Sequence, residues 1–141
     1  MSPVLQPDTS AAEDFSQPIP PGTYRAIIVD LDVRKSKAGN QMVVPKFKVN
    51  VDGHERTRQS YLVISGEGSM GFDQLLRAVH MNELADAYRD PAVKPKPPFD
   101  TDTLRQQELQ VVIEPNIYKD ESKPVGQQDV LRDQITGYLR A

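Results

Sequence analysis

Asp52-Gly53 stands between two runs of alternating character, QMVVPKFKVNV (41–51) and HERTRQSYLVIS (54–65). An Asp-Gly dipeptide in that setting is the chemistry of a two-residue hairpin turn, whose central residues need positive φ and whose flanking strands pair antiparallel. In the first run Val43, Phe47, Val49 and Val51 share one face and Lys46, Lys48 and Asn50 the other, so the hairpin is amphipathic with lysines outward. Pro45 cannot donate to a ladder, which predicts an edge or a bulge there. The second run is polar at its start and apolar at its end.

Upstream, TYRAIIVDLDV (23–33) is rich in β-branched and aromatic residues and places Ile27, Val29, Leu31 and Val33 on one side at period 2. SKAGN (36–40) supplies the turn into the hairpin, with Gly39 and Asn40 tolerant of positive φ. Three strands thus form a meander. The period then changes to 3.6 in SMGFDQLLRAV. There Ser69 is the expected N-cap, Asp73 suits the positive helix end, and Phe72, Leu75, Leu76 and Val79 form the buried stripe. Asn82 opens a short second turn holding Leu84 and Tyr88. RDPAVKPKPPFD, with four prolines in twelve residues, reads as an extended linker. TDTLRQQ predicts a brief helical turn, ELQVVIEP a fourth strand stopping at Pro115, residues 116–129 a long polar loop, and LRDQITGYL a fifth strand.

This order, a three-strand meander, a helix and a final long-looped hairpin, is that of a mainly β, five-stranded antiparallel OB-fold-like barrel with one main helix between the third and fourth strands. The 141 residues suffice for one such domain. Residues 1–20, rich in Pro, Ser, Asp and Ala and without periodicity, read as a flexible N-terminal arm, and residues 21–141 as the OB-fold-like domain.

Several function classes are disfavoured. No apolar run approaches the length of a membrane span, and the N-terminus lacks the basic-then-apolar order of a secretory signal, so a cytoplasmic location is expected and no membrane partner. Without cysteine, and with only His54 and His80 far apart, no metal site is expected. GEGSMG (66–71) spells G-x-G-x-x-G, but a dinucleotide cradle needs a parallel βαβ unit and an acid at the end of its second strand; the antiparallel hairpin upstream argues for a glycine-rich corner instead. No catalytic residues and no cofactor are assigned, and no enzyme is expected.

Charge segregation suggests a partner. The net charge is -3, yet residues 22–60 carry eight Lys/Arg against four Asp/Glu, leaving that segment at +4 and the rest at -7. Single-stranded nucleic acid needs cations for phosphates and π-faces for bases. The candidate contacts are Arg34, Lys35, Lys37, Lys46, Lys48, Arg56 and Arg58, the last two at i, i+2 and hence on one face, with Tyr24, Tyr61 and Tyr118 as stacking aromatics. For any one lysine, ordinary solvation of an exposed strand is the competing account.

PPGTYRAIIVDLDVRKSKAGNQMVVPKFKV, DGHERTRQSYLVI, GFDQLLRAV, FDTDTL and DQITGYL resemble a family of short phage-encoded OB-fold single-stranded-DNA-binding proteins, over residues 18–139. The resemblance rests most on Pro21-Gly22-Thr23-Tyr24 and Ser36-Lys37-Ala38-Gly39-Asn40. It implies single-stranded DNA binding with little sequence preference during phage replication or recombination, in the host cytoplasm, with phage replication or recombination proteins as further partners. Its motif carries over to Tyr24, Lys35, Lys37 and Asn40. Arg105-Gln106-Gln107 departs from the Gly-Lys pair expected before the fourth strand, and GYLRA lacks an acidic, aromatic-tipped tail. The alternative is a phage structural or protein-interaction module using the arm and the 116–129 loop. A homo-oligomer is left open, as is the choice of DNA or RNA.

Overall fold

The computed structural model describes residues 3–8 and 18–141. Of the expected arm, residues 1–2 and 9–17 lie outside the described residues; residues 3–8 have no regular structure and are exposed. The strands are β1 (Gly22–Lys35), β2 (Gln41–Val51), β3 (His54–Gln59), the two-residue β4 (Leu62–Val63), β5 (Glu108–Lys119) and β6 (Asp129–Arg140). The helices are α1 (Met70–Ala78) and α2 (Asn82–Arg89). All strand pairs are antiparallel, in the order β3-β2-β1-β5-β6, with β4 on the far end of β2. The five principal strands curl into an OB-like half-barrel with the main helix between the meander and the final hairpin.

The Asp52-Gly53 turn forms as its chemistry requires, with φ of 51° and 84°. β2 buries Val43, Phe47, Val49 and Val51 and exposes Lys46, Lys48 and Asn50, as the alternation predicts. β1 differs. Its core residues are Ala26, Ile28 and Leu31, whereas Ile27 and Val29 are only half-buried and Val33 is exposed. A register shift between Ile28 and Asp30 inserts one residue and exchanges the faces, so the period-2 reading holds for Leu31 and Val33, opposite Pro45 and Val43, and fails before the shift for Ile27 and Val29. The third strand is also shorter than expected: Ser60 and Tyr61 interrupt it, and Leu62–Val63 pairs separately with Met42 and Val43.

β1 bridges the two halves, pairing with β2 through most of its length and with β5 from Gly22 to Ile27. β5 does not stop at Pro115. It runs on to Lys119, paired with β6 from Leu109↔Arg140 to Lys119↔Asp129, so the expected 116–129 loop shortens to a turn over 120–128, with residues 116–119 and 129 in the strands. Proline is tolerated because β1 pairs with β5 only as far as Ile113, and Pro115 sits where that neighbour has ended.

α1 covers the open end of the half-barrel. Leu75 and Val79 enter the main core with Ile28, Phe47, Val49, Leu109, Val111 and Tyr138. Phe72 and Leu76, on the adjacent stripe, pack with Val43 and Ala85 in a second cluster. Ser69 occupies the N-cap position but accepts no helix N–H; its hydroxyl donates to the Gly66 carbonyl at 2.7 Å, tying down the three-residue 3₁₀ turn before α1. The expected second turn is the two-turn helix α2. The proline-rich segment then returns along the helices, bringing Phe99 edge-on to Phe72 with ring centroids 5.2 Å apart. TDTL forms the predicted helical turn and buries Leu104.

Candidate nucleic-acid interface

No ladder joins β3 to β6 among the described residues, so the half-barrel has an open seam between its end strands. Side chains bridge it. Arg58 of β3 grips Asp133 of β6 in a two-pronged ion pair, Nε to Oδ1 at 2.7 Å and Nη2 to Oδ2 at 3.0 Å. The same carboxylate accepts the Ile19 N–H at 2.7 Å, which fastens the buried Ile19 ahead of β1. The side chains are 16% and 6% exposed, so the pair is shielded from solvent. Burial works to raise the Asp133 pKa, but the Arg58 hydrogen bonds, the Ile19 N–H and the charges of Arg58 and Arg56 outweigh it and hold the carboxyl below its ordinary value. Beneath the seam Phe47 and Tyr138 meet at 5.8 Å, and burial pushes the Tyr138 phenol up to about 12.

This explains where Arg56 and Arg58 lie. Directly opposed residues of an antiparallel pair share a face. Phe47 is opposite Arg58 and Val49 opposite Arg56, so both arginines are on the inner face, at the seam, and not beside Lys46 and Lys48 as the charge count suggested. Lys46 and Lys48 face outward opposite Gln59 and Thr57.

Nor is the outer face uniformly basic. Lys48 lies 3.8 Å from Glu55, Arg34 2.7 Å from Asp32, and Asp30 2.6 Å from Arg105. The Asp30 carboxyl is held below its usual range by the Leu31 N–H and then by Arg105; Asp32 is lowered chiefly by its hydrogen bond to Arg34. These acids stay charged at neutral pH and offset neighbouring cations. Lys46 and Arg132 make no ion pair among the described residues.

A cleft of about 480 Å³ runs along the seam, with Lys46, Thr57 and Gln59 on one side and Leu131, Arg132 and Asp133 on the other. A second of about 240 Å³ adjoins it, shares Lys46 and Gln59, and continues past Val44 to Arg34. Each carries a cation set against a tyrosine. The Arg34 guanidinium carbon is 6.0 Å from the Tyr61 ring centroid, and that of Arg132 is 4.2 Å from Tyr118. Tyr61 is 60% exposed.

Lys46 and Arg34 thus line the two adjoining clefts, with Arg58 in the wall, while Tyr61 and Tyr118 line neither and approach them only through Arg34 and Arg132. Lys35, Lys37 and Asn40 are exposed at the β1–β2 turn, which is closed by Ser36: its backbone N–H donates to the Asn40 carbonyl and its hydroxyl accepts from the Asn40 N–H. Tyr24 is not brought to the groove; opposite Val111, it packs on the core and donates its hydroxyl to the Pro20 carbonyl. Arg132 and Leu131 open the expected fifth strand and were missed because the polar loop expected before it left them without a facing strand; reading strand alternation through Pro115 would have placed Tyr118 and Arg132 in facing strands.

A family model described as a protein of unknown function (DUF669) matches residues 6–64, the stretch from the arm through β4. The match leaves α1, α2 and the β5–β6 hairpin outside it. Among curated proteins nothing matches the chain. No helix among the described residues is long and apolar enough to cross a membrane.

Proposed function

We propose that the chain binds single-stranded DNA with little sequence preference, in support of phage DNA replication or recombination, through the groove along the β3–β6 seam. One observation carries the reading: two clefts that meet at Lys46, each lined by an arginine whose guanidinium stands against a tyrosine ring. Strand-tracking sites combine cations for the backbone with aromatic faces for successive bases, and OB-folds place oligonucleotides on the β2–β3 pair, between the β1–β2 turn and the final hairpin. Lys46 and Arg132 supply charge held in no ion pair among the described residues, while Tyr61 and Tyr118 supply rings. The cations that neutralise phosphates predict binding that weakens with salt in proportion to their number, and the groove's carboxylates make that dependence shallower.

Fluorescence anisotropy with a labelled oligonucleotide tests this. Affinity should fall with salt by a log-log slope of about 0.7 per phosphate neutralised. Lys46→Ala should weaken binding and lower the slope by about that amount, whereas Lys48→Ala, ion-paired with Glu55 and outside the groove, should leave both unchanged. Absence of binding at low salt, or equal effects of the two substitutions, would refute the assignment.

The β5–β6 hairpin favours a second reading as a protein-interaction module. It carries Ile117 and Leu131, cross-strand partners 65% and 55% exposed, on a strand pair that β1 does not cover. Ile117→Ser should then abolish partner capture while leaving oligonucleotide affinity unchanged; the DNA reading predicts the change in affinity alone.

A further inference from the structure

The inner face of the β5–β6 hairpin carries the core outward. Ile113 is buried and its opposite residue Ile135 packs against the core; two residues further on, Asp133 closes the seam. Beyond it come Ile117 and Leu131, directly opposed and exposed, on a stretch of β5 that β1 no longer flanks. Residues two apart along a strand, and residues opposed across a ladder, share a face. The pairing of the hairpin is regular from Ile113 to its turn, so the next row on this face is Lys119 opposite Asp129. Both are exposed, and neither makes an ion pair among the described residues.

An apolar centre bounded by a charged row has the make-up of a protein interface. Its pattern also specifies what fits it. Each strand contributes one apolar residue and one charge, and the two charges have opposite sign. Two such faces can be laid together about a two-fold axis that runs along the hairpin between them. Each strand of one copy then lies over the other strand of its mate. Ile117 meets Leu131, Lys119 meets Asp129, and Asp129 meets Lys119. The patch is therefore complementary to itself, which is what an isologous contact demands. A partner carrying one sign of charge would repel one member of the row, and an anionic nucleic acid would repel Asp129.

We infer that this hairpin face joins two copies of the chain. The inference rests on the protein-interaction reading of the hairpin and names its partner. Tyr118 and Arg132 alternate to the opposite face, whereas Leu131 also borders the seam cleft, so self-association is read in the absence of nucleic acid.

Sedimentation velocity of the full chain provides the test. The wild-type chain should form dimers whose share grows with concentration, and Ile117→Ser should reduce that share, since the two-fold axis removes the contact twice. Lys119→Asp and Asp129→Lys should each weaken self-association about tenfold, because each sets like charges against one another at two symmetric places. Mixed in equal amounts, these two variants should associate as tightly as the wild type, each presenting the sign that the other lacks. The double variant carrying both reversals should do so alone. A wild-type chain that stays monomeric at about 1 mM, reversals that leave association unchanged, or a mixture no more associated than its parts would each overturn the inference. A monomeric wild type whose capture of a different protein is lost in Ile117→Ser would overturn the second copy as occupant and leave the interaction reading standing, so the two fail separately.

Discussion

Asp133→Ala tests whether the seam is held by side chains in place of a strand ladder. The substitution leaves the Arg58 guanidinium, 16% exposed, without its carboxylate and removes the acceptor of the Ile19 N–H. Breaking a shielded ion pair by removing one partner costs about 3–5 kcal/mol. Against a typical total of 5–15 kcal/mol, that is a large fraction. For a chain of this length it lowers Tm by roughly 10–20 °C. Asp133→Asn keeps an acceptor for Ile19 but loses the charge, and should fall between wild type and Asp133→Ala. The pH dependence separates an ionic clasp from mere packing. Because the Asp133 pKa is lower folded than unfolded, its contribution is complete above the unfolded value of about 3.9 and is lost as pH falls through the folded value. Urea melts of wild type and Asp133→Asn between neutral and strongly acid pH should therefore converge at the acid end. A Tm change under about 2 °C for Asp133→Ala, or a difference from Asp133→Asn that does not shrink in acid, would refute the clasp.

Gln106 holds φ of 64° while its N–H donates to the Ile28 carbonyl at 2.7 Å, so the backbone there cannot relax without losing that bond. Gln106→Gly should stabilise by about 0.5–1 kcal/mol in denaturant melts, since an L-residue in that region costs about 1–2 kcal/mol and glycine gives part of that back through its freer unfolded chain. Tyr61→Ala and Tyr118→Ala should each weaken oligonucleotide binding by about 1–3 kcal/mol in anisotropy titrations without changing the salt slope, because stacking neutralises no phosphate. Phe47→Ala, at a fully buried site against Tyr138, should cost about 3–5 kcal/mol by thermal melting.

The sequence was most legible where one local rule acted alone. Asp52-Gly53 fixed the hairpin, and clean alternation in β2 fixed its faces. The FDQLLRAV stripe placed α1. It was least legible where both faces were apolar or where a long-range partner decided the outcome. In β1, Ala26 and Ile28 compete with Ile27 and Val29 for the core, and only the bulge before Asp30 settles which side faces in. That Arg56 and Arg58 share a face follows from i, i+2 spacing. Which face depends on their register with Val49 and Phe47, and on the carboxylate of Asp133, which is 75 residues from Arg58 in sequence.

That misassignment changes what the charge pattern means. The +4 of residues 22–60 was a sum over both faces of one sheet. Folding divides it: Arg58 holds the barrel's seam to Asp133, Arg34 and Lys48 meet nearby acids, and Lys46 remains to face a ligand. A cation that closes the fold is not thereby available to phosphate, because leaving Asp133 would strand a shielded carboxylate. The useful charge of the groove is therefore smaller than composition suggests and is completed from the other side of the seam by Arg132. A site so divided should fail when the hairpin is displaced even if every residue of β2 and β3 is intact. Shortening the 120–128 turn region should thus weaken oligonucleotide binding more than any single lysine substitution on β2, and an unchanged affinity would return the site to the β1–β3 surface alone.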